Sequence, residues 1–158
     1  MNAAQVHLVV VHLPVVGCPV ALILLILAQV RKDDFLFKLA CGFLLACAGF
    51  SAIAYYSGPP AYELLKAKFS VEKDYVEGHA VLARAAFFSM IVLGVAVLNA
   101  LLQFLQGEQP ARWLKWGLLI ATGIVCYLFA WSAHQGGLIR HPEIREPPIV
   151  IFPEILDE

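Results

Sequence analysis

Residues 6–17 read VHLVVVHLPVVG, two histidines set into the head of an apolar run that carries no Asp, Glu, Lys or Arg from Met1 to Val30. A charge-free stretch longer than about 18 residues is long enough to cross a bilayer as a helix. Three further stretches have the same property: Leu39–Tyr62, Ala85–Gly107 and Trp116–Ile139. A soluble bundle would need a charged outer face on each helix, and none of the four has one. The sequence therefore predicts an all-α integral membrane four-helix bundle running up-down-up-down. Its membrane domain covers residues 1–141, with spans near 5–30, 35–56, 79–104 and 111–134, and an extended Pro-rich tail follows over 142–158.

Composition agrees with that assignment. Of 158 residues, 61% are hydrophobic and 15% charged, against about 25% charged in an ordinary globular domain, and the mean hydropathy is +0.78. A net charge of −1 without a basic stripe gives no footing for nucleic acid. Cys18, Cys41, Cys47 and Cys126 lie scattered within the spans and read as small packing residues. No CxxCH occurs, which removes covalent c-type haem attachment. The chain also lacks GxSxG, a Walker-type loop, HExxH and an intramembrane carboxylate pair, so it does not read as a self-contained enzyme.

Within the first span, Pro14 and Pro19 each remove a backbone donor, which predicts a kink near the helix entry. The second span is rich in Ala and Gly, residues that let helices or a flat cofactor approach closely, and Ser57-Gly58-Pro59-Pro60 reads as its stop. In the polar connection that follows, Tyr62, Leu64, Leu65 and Phe69 suggest a short amphipathic turn at the interface. Ser70 is placed to cap a helix beginning at Val71, and Gly136-Gly137 reads as the end of the fourth span. An even number of spans puts both termini on one side. The short turns on the other side carry Arg31, Lys32, Lys38, Arg112 and Lys115, and the positive-inside bias assigns them to the cytoplasm. The expected location is the bacterial cytoplasmic membrane, in contact with lipid, with both termini facing the periplasm.

All five histidines then fall on the outer side: His7 and His12 at the start of the first span, His79 at the start of the third, His134 and His141 at and beyond the end of the fourth. Histidine at membrane depth generally has a partner or a task. His7 and His12 are five residues apart, so they stand roughly 140° apart around the helix axis. The deeper His12, near the Pro14 kink, ranks ahead of His7 as a ligand, beside His79 and His134. Small residues below them (Ala83 and Ala86 under His79; Ala130 and Gly123, with Tyr127, under His134; Gly49 and Ala52 on the second span) suggest a slot. An empty slot would be a costly void, and a porphyrin axially ligated by imidazole would fill it. The expected ligands are His12, His79 and His134, with His7 or His141 completing a second centre. Arg84 and Arg140 are candidates to pair with haem propionates.

The resulting expectation is a subunit binding haem b, one or two and non-covalently. It would carry electrons between a periplasmic redox protein and either the quinone pool or another subunit of a membrane redox complex. Two rival readings remain: a copper or zinc site formed by the same histidines, which imidazole suits, and a structural anchor of a respiratory or photosynthetic assembly.

HLVVVHLPV in the first span, Gly-His-Ala at the third and AHQGGLIRH after the fourth together resemble a bacterial family of unknown function. Its members are small four-span membrane proteins with a histidine pair before a proline in helix 1 and a Gly-Gly-x-x-x-His ending. Gly136, Gly137 and His141 match that ending, and the resemblance covers about Val6–His141. Leu13-Pro14 stands where the family often has Phe-Pro. Some members are fused to, or encoded beside, c-type cytochromes. The resemblance thus implies electron transfer with a periplasmic c-type cytochrome as partner.

Overall fold

The computed structural model describes residues 1–68 and 71–145. Five helices and one short turn follow in order: α1 (Ala3–Val10), α2 (His12–Arg31), α3 (Asp34–Lys66), α4 (Lys73–Leu105), α5 (Arg112–Arg140) and a 3-10 turn at Pro142–Ile144. The described residues contain no strand. Four helical spans, Ala3–Arg31, Asp34–Lys66, Lys73–Leu105 and Arg112–Arg140, are each long and apolar enough to cross a membrane, as expected for a multi-pass membrane protein.

α1 starts from a capping box: the Asn2 side chain accepts from Gln5 N–H, and the Gln5 side chain accepts from Asn2 N–H. The helix breaks at Val11 and resumes at His12, so α1 and α2 together make the first span. The break lies where Pro14 withholds the donor that the Val10 carbonyl would use and crowds that carbonyl. α2 ends on Lys32, which adopts the left-handed conformation (φ 52°), and Asp33 then caps α3 by accepting from Phe35 and Leu36 N–H.

Three boundaries differ from the sequence reading. Ser57-Gly58-Pro59-Pro60 does not stop the second helix, because α3 runs through both prolines to Lys66. Proline holds a helix-compatible φ, both rings face outward, and Ala61 packs inward on the following turn. The expected amphipathic turn at Tyr62–Leu65 is therefore the last part of α3. α4 begins at Lys73 rather than Val71, with Glu72 at the cap position; Phe69 and Ser70 lie outside the described residues. α5 continues past Gly136-Gly137 to Arg140. Of the tail, only residues 142–145 are described, and they form the 3-10 turn and its cap rather than an extended strand.

The helices form a closed ring in which α2 packs on α3, α3 on α4, α4 on α5 and α5 on α2. α1 leans on α3 and makes no helix–helix contact with α4 or α5 among the described residues. The core is a narrow stripe that mixes small residues such as Cys18, Ala21, Ala40, Ala86 and Ala100 with Leu25, Phe37, Leu44, Met90 and Leu118. Apolar residues also cover the outside: Val16, Ile23, Val92, Val95, Ile120 and Ile124 are all exposed. Close approach through small residues is how helices associate where lipid replaces water. At the end of the bundle opposite His7 and His79, Lys115 meets Asp34 at 3.4 Å, Gln109 donates to Asp34 at 2.7 Å, and Lys38 lies over the Phe104 ring.

A paired-histidine site at one end of the bundle

Two of the five histidines turn inward and face each other where α1 begins, α3 ends, α4 begins and α5 ends. The rings of His7 on α1 and His79 on α4 stand 6.5 Å apart between centres with their planes perpendicular. Neither touches the other's helix through backbone packing; the imidazoles alone reach across the bundle.

Each ring is fixed from behind in the same way. His7 Nδ1 donates to the Ala54 carbonyl of α3 at 2.9 Å, with Ser57 Oγ at 3.2 Å. His79 Nδ1 donates to the Ser132 carbonyl of α5 at 2.9 Å, with Ser132 Oγ at 3.5 Å. A carbonyl can only accept, so in both rings Nδ1 carries the proton. A neutral imidazole held in that tautomer presents Nε2 as an unprotonated lone pair, the form that binds a metal. A glycine lies four residues beyond each acceptor. A Cβ on Gly58 would lie 3.5 Å from His7 Cε1, and one on Gly136 would lie 3.2 Å from His79 Cε1. The glycines leave each ring space to lie against a helix and reach its carbonyl.

The other candidates are placed elsewhere. His12 is exposed on the outer face of α2, and its Nδ1 donates to Leu8 O of the preceding turn. His134 is exposed on α5, on the outward side shared by Tyr127 and Trp131. His141 is exposed beyond α5 and bonds Glu143 at 2.8 Å, an interaction that holds the Glu143 carboxyl below the usual carboxylate range. Arg84 is exposed on α4, five residues and thus about 140° around from His79, so it does not lie beneath that ring. Arg140 ends α5 at the surface.

The ranking of His12 above His7 is thus reversed in space. The five-residue separation sends one histidine inward and the other outward, and the register of α1 on α3 chooses His7. The expected slot beneath His134 is also not formed. Ala130 and Tyr127 face outward, and a Cβ added at Gly123 or Gly49 would meet nothing within 4 Å. Sequence reasoning missed the supporting set of Ala54, Ser57, Gly58, Ser132 and Gly136. Gly58 stood out only as a helix stop, and Gly136 as a helix stop and part of the Gly-Gly-x-x-x-His ending.

Two imidazoles with fixed tautomers suit a metal whose remaining positions are filled by something other than protein. A closed zinc site needs about four protein ligands, and among the described residues no group of three or more His, Cys, Asp or Glu gathers to supply them. Haem iron, with four ligands from its porphyrin, would take only one or two from protein side chains. A metal about 2 Å from each nitrogen would separate two imidazole centres by roughly 6 Å, close to the spacing found. Comparison with known proteins adds no relative: no family matches the chain, and neither a curated protein nor a solved structure matches it.

Proposed function

We propose that the protein is a haem-b-binding electron-transfer subunit of a bacterial cytoplasmic membrane complex. It passes electrons between a periplasmic redox partner, a c-type cytochrome, and the quinone pool or another membrane subunit. One observation carries the reading: His7 and His79 face each other across the bundle, each with Nδ1–H bonded to a helix carbonyl. That arrangement leaves Nε2 as the unprotonated nitrogen of each ring, so the two imidazoles would hold a haem iron without a third protein ligand.

When bound, haem b would supply a one-electron carrier, and ligation by both His7 and His79 would suit it to transfer rather than substrate chemistry. The chain's part is to hold and tune it. The Ala54 and Ser132 carbonyls keep each Nδ1 protonated and raise the basicity of the opposite nitrogen. α1 packs on α3 and on the start of α2, not on α4 or α5, so only the two imidazole side chains would hold a group between α1 and α4. Below the site, Tyr55 stacks on Phe87 with ring centres 4.5 Å apart, and Pro14 and Ala86 close the core.

The periplasmic placement rests on the cationic turns at the opposite end, Arg31-Lys32 and Arg112 with Lys115, and the cytochrome partner on the family resemblance. The test is a pyridine haemochrome assay and a reduced-minus-oxidised spectrum of protein purified from a haem-sufficient host. A stoichiometric, low-spin b-type signal supports the reading. Protein that is folded and free of haem refutes it.

A further inference from the structure

Cys18 Sγ of α2 meets Met90 Sδ of α4 at 4.0 Å, and the two residues are 72 apart in sequence. His7 and His79, which also meet across the bundle, are 72 apart as well. The same shift relates the buried face of α2 to that of α4, where Phe87 and Gly94 are buried in addition. Each of the five buried residues of α2, from Pro14 to Ala28, lies 72 positions before a buried residue of α4, from Ala86 to Ala100.

A second shift, of 78, relates α3 to α5. Ala40, Leu44, Cys47, Ser51 and Ala54 fall on Leu118, Thr122, Val125, Phe129 and Ser132, all buried, while Phe37, Cys41 and Ala61 fall on the half-buried Lys115, Leu119 and Ile139. Two helices with heptad-like faces can always be superposed by some shift, so matched burial alone decides little. The chemistry decides it. The shifts that align the cores also place His7 on His79, its acceptor Ala54 on the acceptor Ser132, and Gly58 on Gly136. They further place His12 on Arg84, both exposed nitrogen-bearing side chains on the outer faces of these spans.

We infer that the chain is two copies of one helical hairpin related by a pseudo-two-fold axis along the bundle, and that His7 and His79 are the two halves of a single coordination site on that axis. The contacts agree with this arrangement. α1–α2 packs on α3 as α4 packs on α5, and the halves join through the equivalent pairs α3–α4 and α5–α2. Both hairpins start at the same end, so the axis runs along the bundle, as in transporters built from parallel repeats. Residues that meet their own equivalents, His7 with His79 and Cys18 with Met90, lie beside the axis. A ligand there sees two like faces and takes one imidazole from each half. A chain therefore carries one such centre, with no second centre assembled from His12, His134 or His141. The identity of the metal group rests on the haem reading above, whereas the shared site does not.

The test uses the full-length chain with 15N-labelled imidazoles in detergent micelles, first without any cofactor. His79→Ala is expected to shift the ring nitrogens of His7, and His7→Ala those of His79, while His134 and His141 keep their resonances and report that each variant is folded. Where an alanine variant unfolds, Gly136→Ala replaces it, because the added methyl moves the His79 ring from behind; its readout is the His7 resonances. Haemin is then titrated in, with an end point expected at one equivalent per chain and loss of uptake in either histidine variant. Substitution of one ring that leaves the other's resonances unmoved overturns the shared site, as does an end point at two equivalents. Reciprocal shifts in a chain that takes up no haemin sustain the shared site and refute the haem reading.

Discussion

Gly136 lies directly behind the His79 ring: a Cβ there would stand 3.2 Å from Cε1 and 3.3 Å from Nδ1, whereas at Gly58 the nearest atom of His7 would be 3.5 Å away. The two glycines hold equivalent places, but only Gly136 is under steric pressure. Replacing a helical glycine by alanine gains about 1 kcal/mol of helix propensity, and forcing a methyl into a filled space costs about 1–3 kcal/mol. Gly58→Ala is therefore expected to leave thermal stability unchanged or raised, with cofactor binding intact. Gly136→Ala is expected to displace the His79 ring and weaken cofactor retention more than stability. Thermal unfolding followed beside cofactor occupancy distinguishes the two.

A tighter glycine contact lies deeper. A Cβ on Gly17 of α2 would stand 2.6 Å from Cys47 Sγ on α3, closer than packed atoms tolerate. Gly17→Ala is expected to destabilise the bundle by about 1–3 kcal/mol. Cys47→Ala removes the obstructing sulfur, so the double variant is expected to lose less than the sum of the singles. Denaturation of all four proteins in the same detergent gives the coupling directly.

Arg145 ties the chain after α5 to the start of α4. Its Nε donates to Leu138 O at 2.9 Å, its guanidinium pairs with Glu72, and it lies 4.1 Å over the Tyr75 ring. Arg145→Ala is expected to cost about 1 kcal/mol, the scale of one partly exposed ion pair, and to speed proteolysis beyond Arg140. Arg145→Lys keeps the charge but loses the planar stacking, so it is expected to restore only part of the protection. Limited proteolysis at low and high salt checks both.

The membrane architecture is legible in the sequence because length and the absence of charge mark it: each of the four charge-free runs overlaps one helical span, overrunning it by at most two residues. Helix ends are less legible. Pro59, Pro60 and Gly137 have strong turn propensities, yet α3 and α5 continue through them, since lateral packing of Ala61 and of the glycine-backed His79 outweighs local preference. The histidine site was half legible. That the histidines gather at one end follows from topology, but which of His7 and His12 turns inward depends on helix register. A 140° rotation is invisible without the neighbouring helix. The Ala54 and Ser132 acceptors are backbone atoms and leave no residue-type signal at all.

The central claim is that His7 and His79, rather than His12 or His134, hold the cofactor. Reduced-minus-oxidised spectra of protein carrying His7→Ala, His79→Ala, His12→Ala or His134→Ala test it most directly. The account predicts that either inward variant loses the low-spin b-type spectrum, with free imidazole restoring it in part, while both outward variants keep it. A low-spin spectrum that survives in His7→Ala or His79→Ala, or disappears in His12→Ala, contradicts the account.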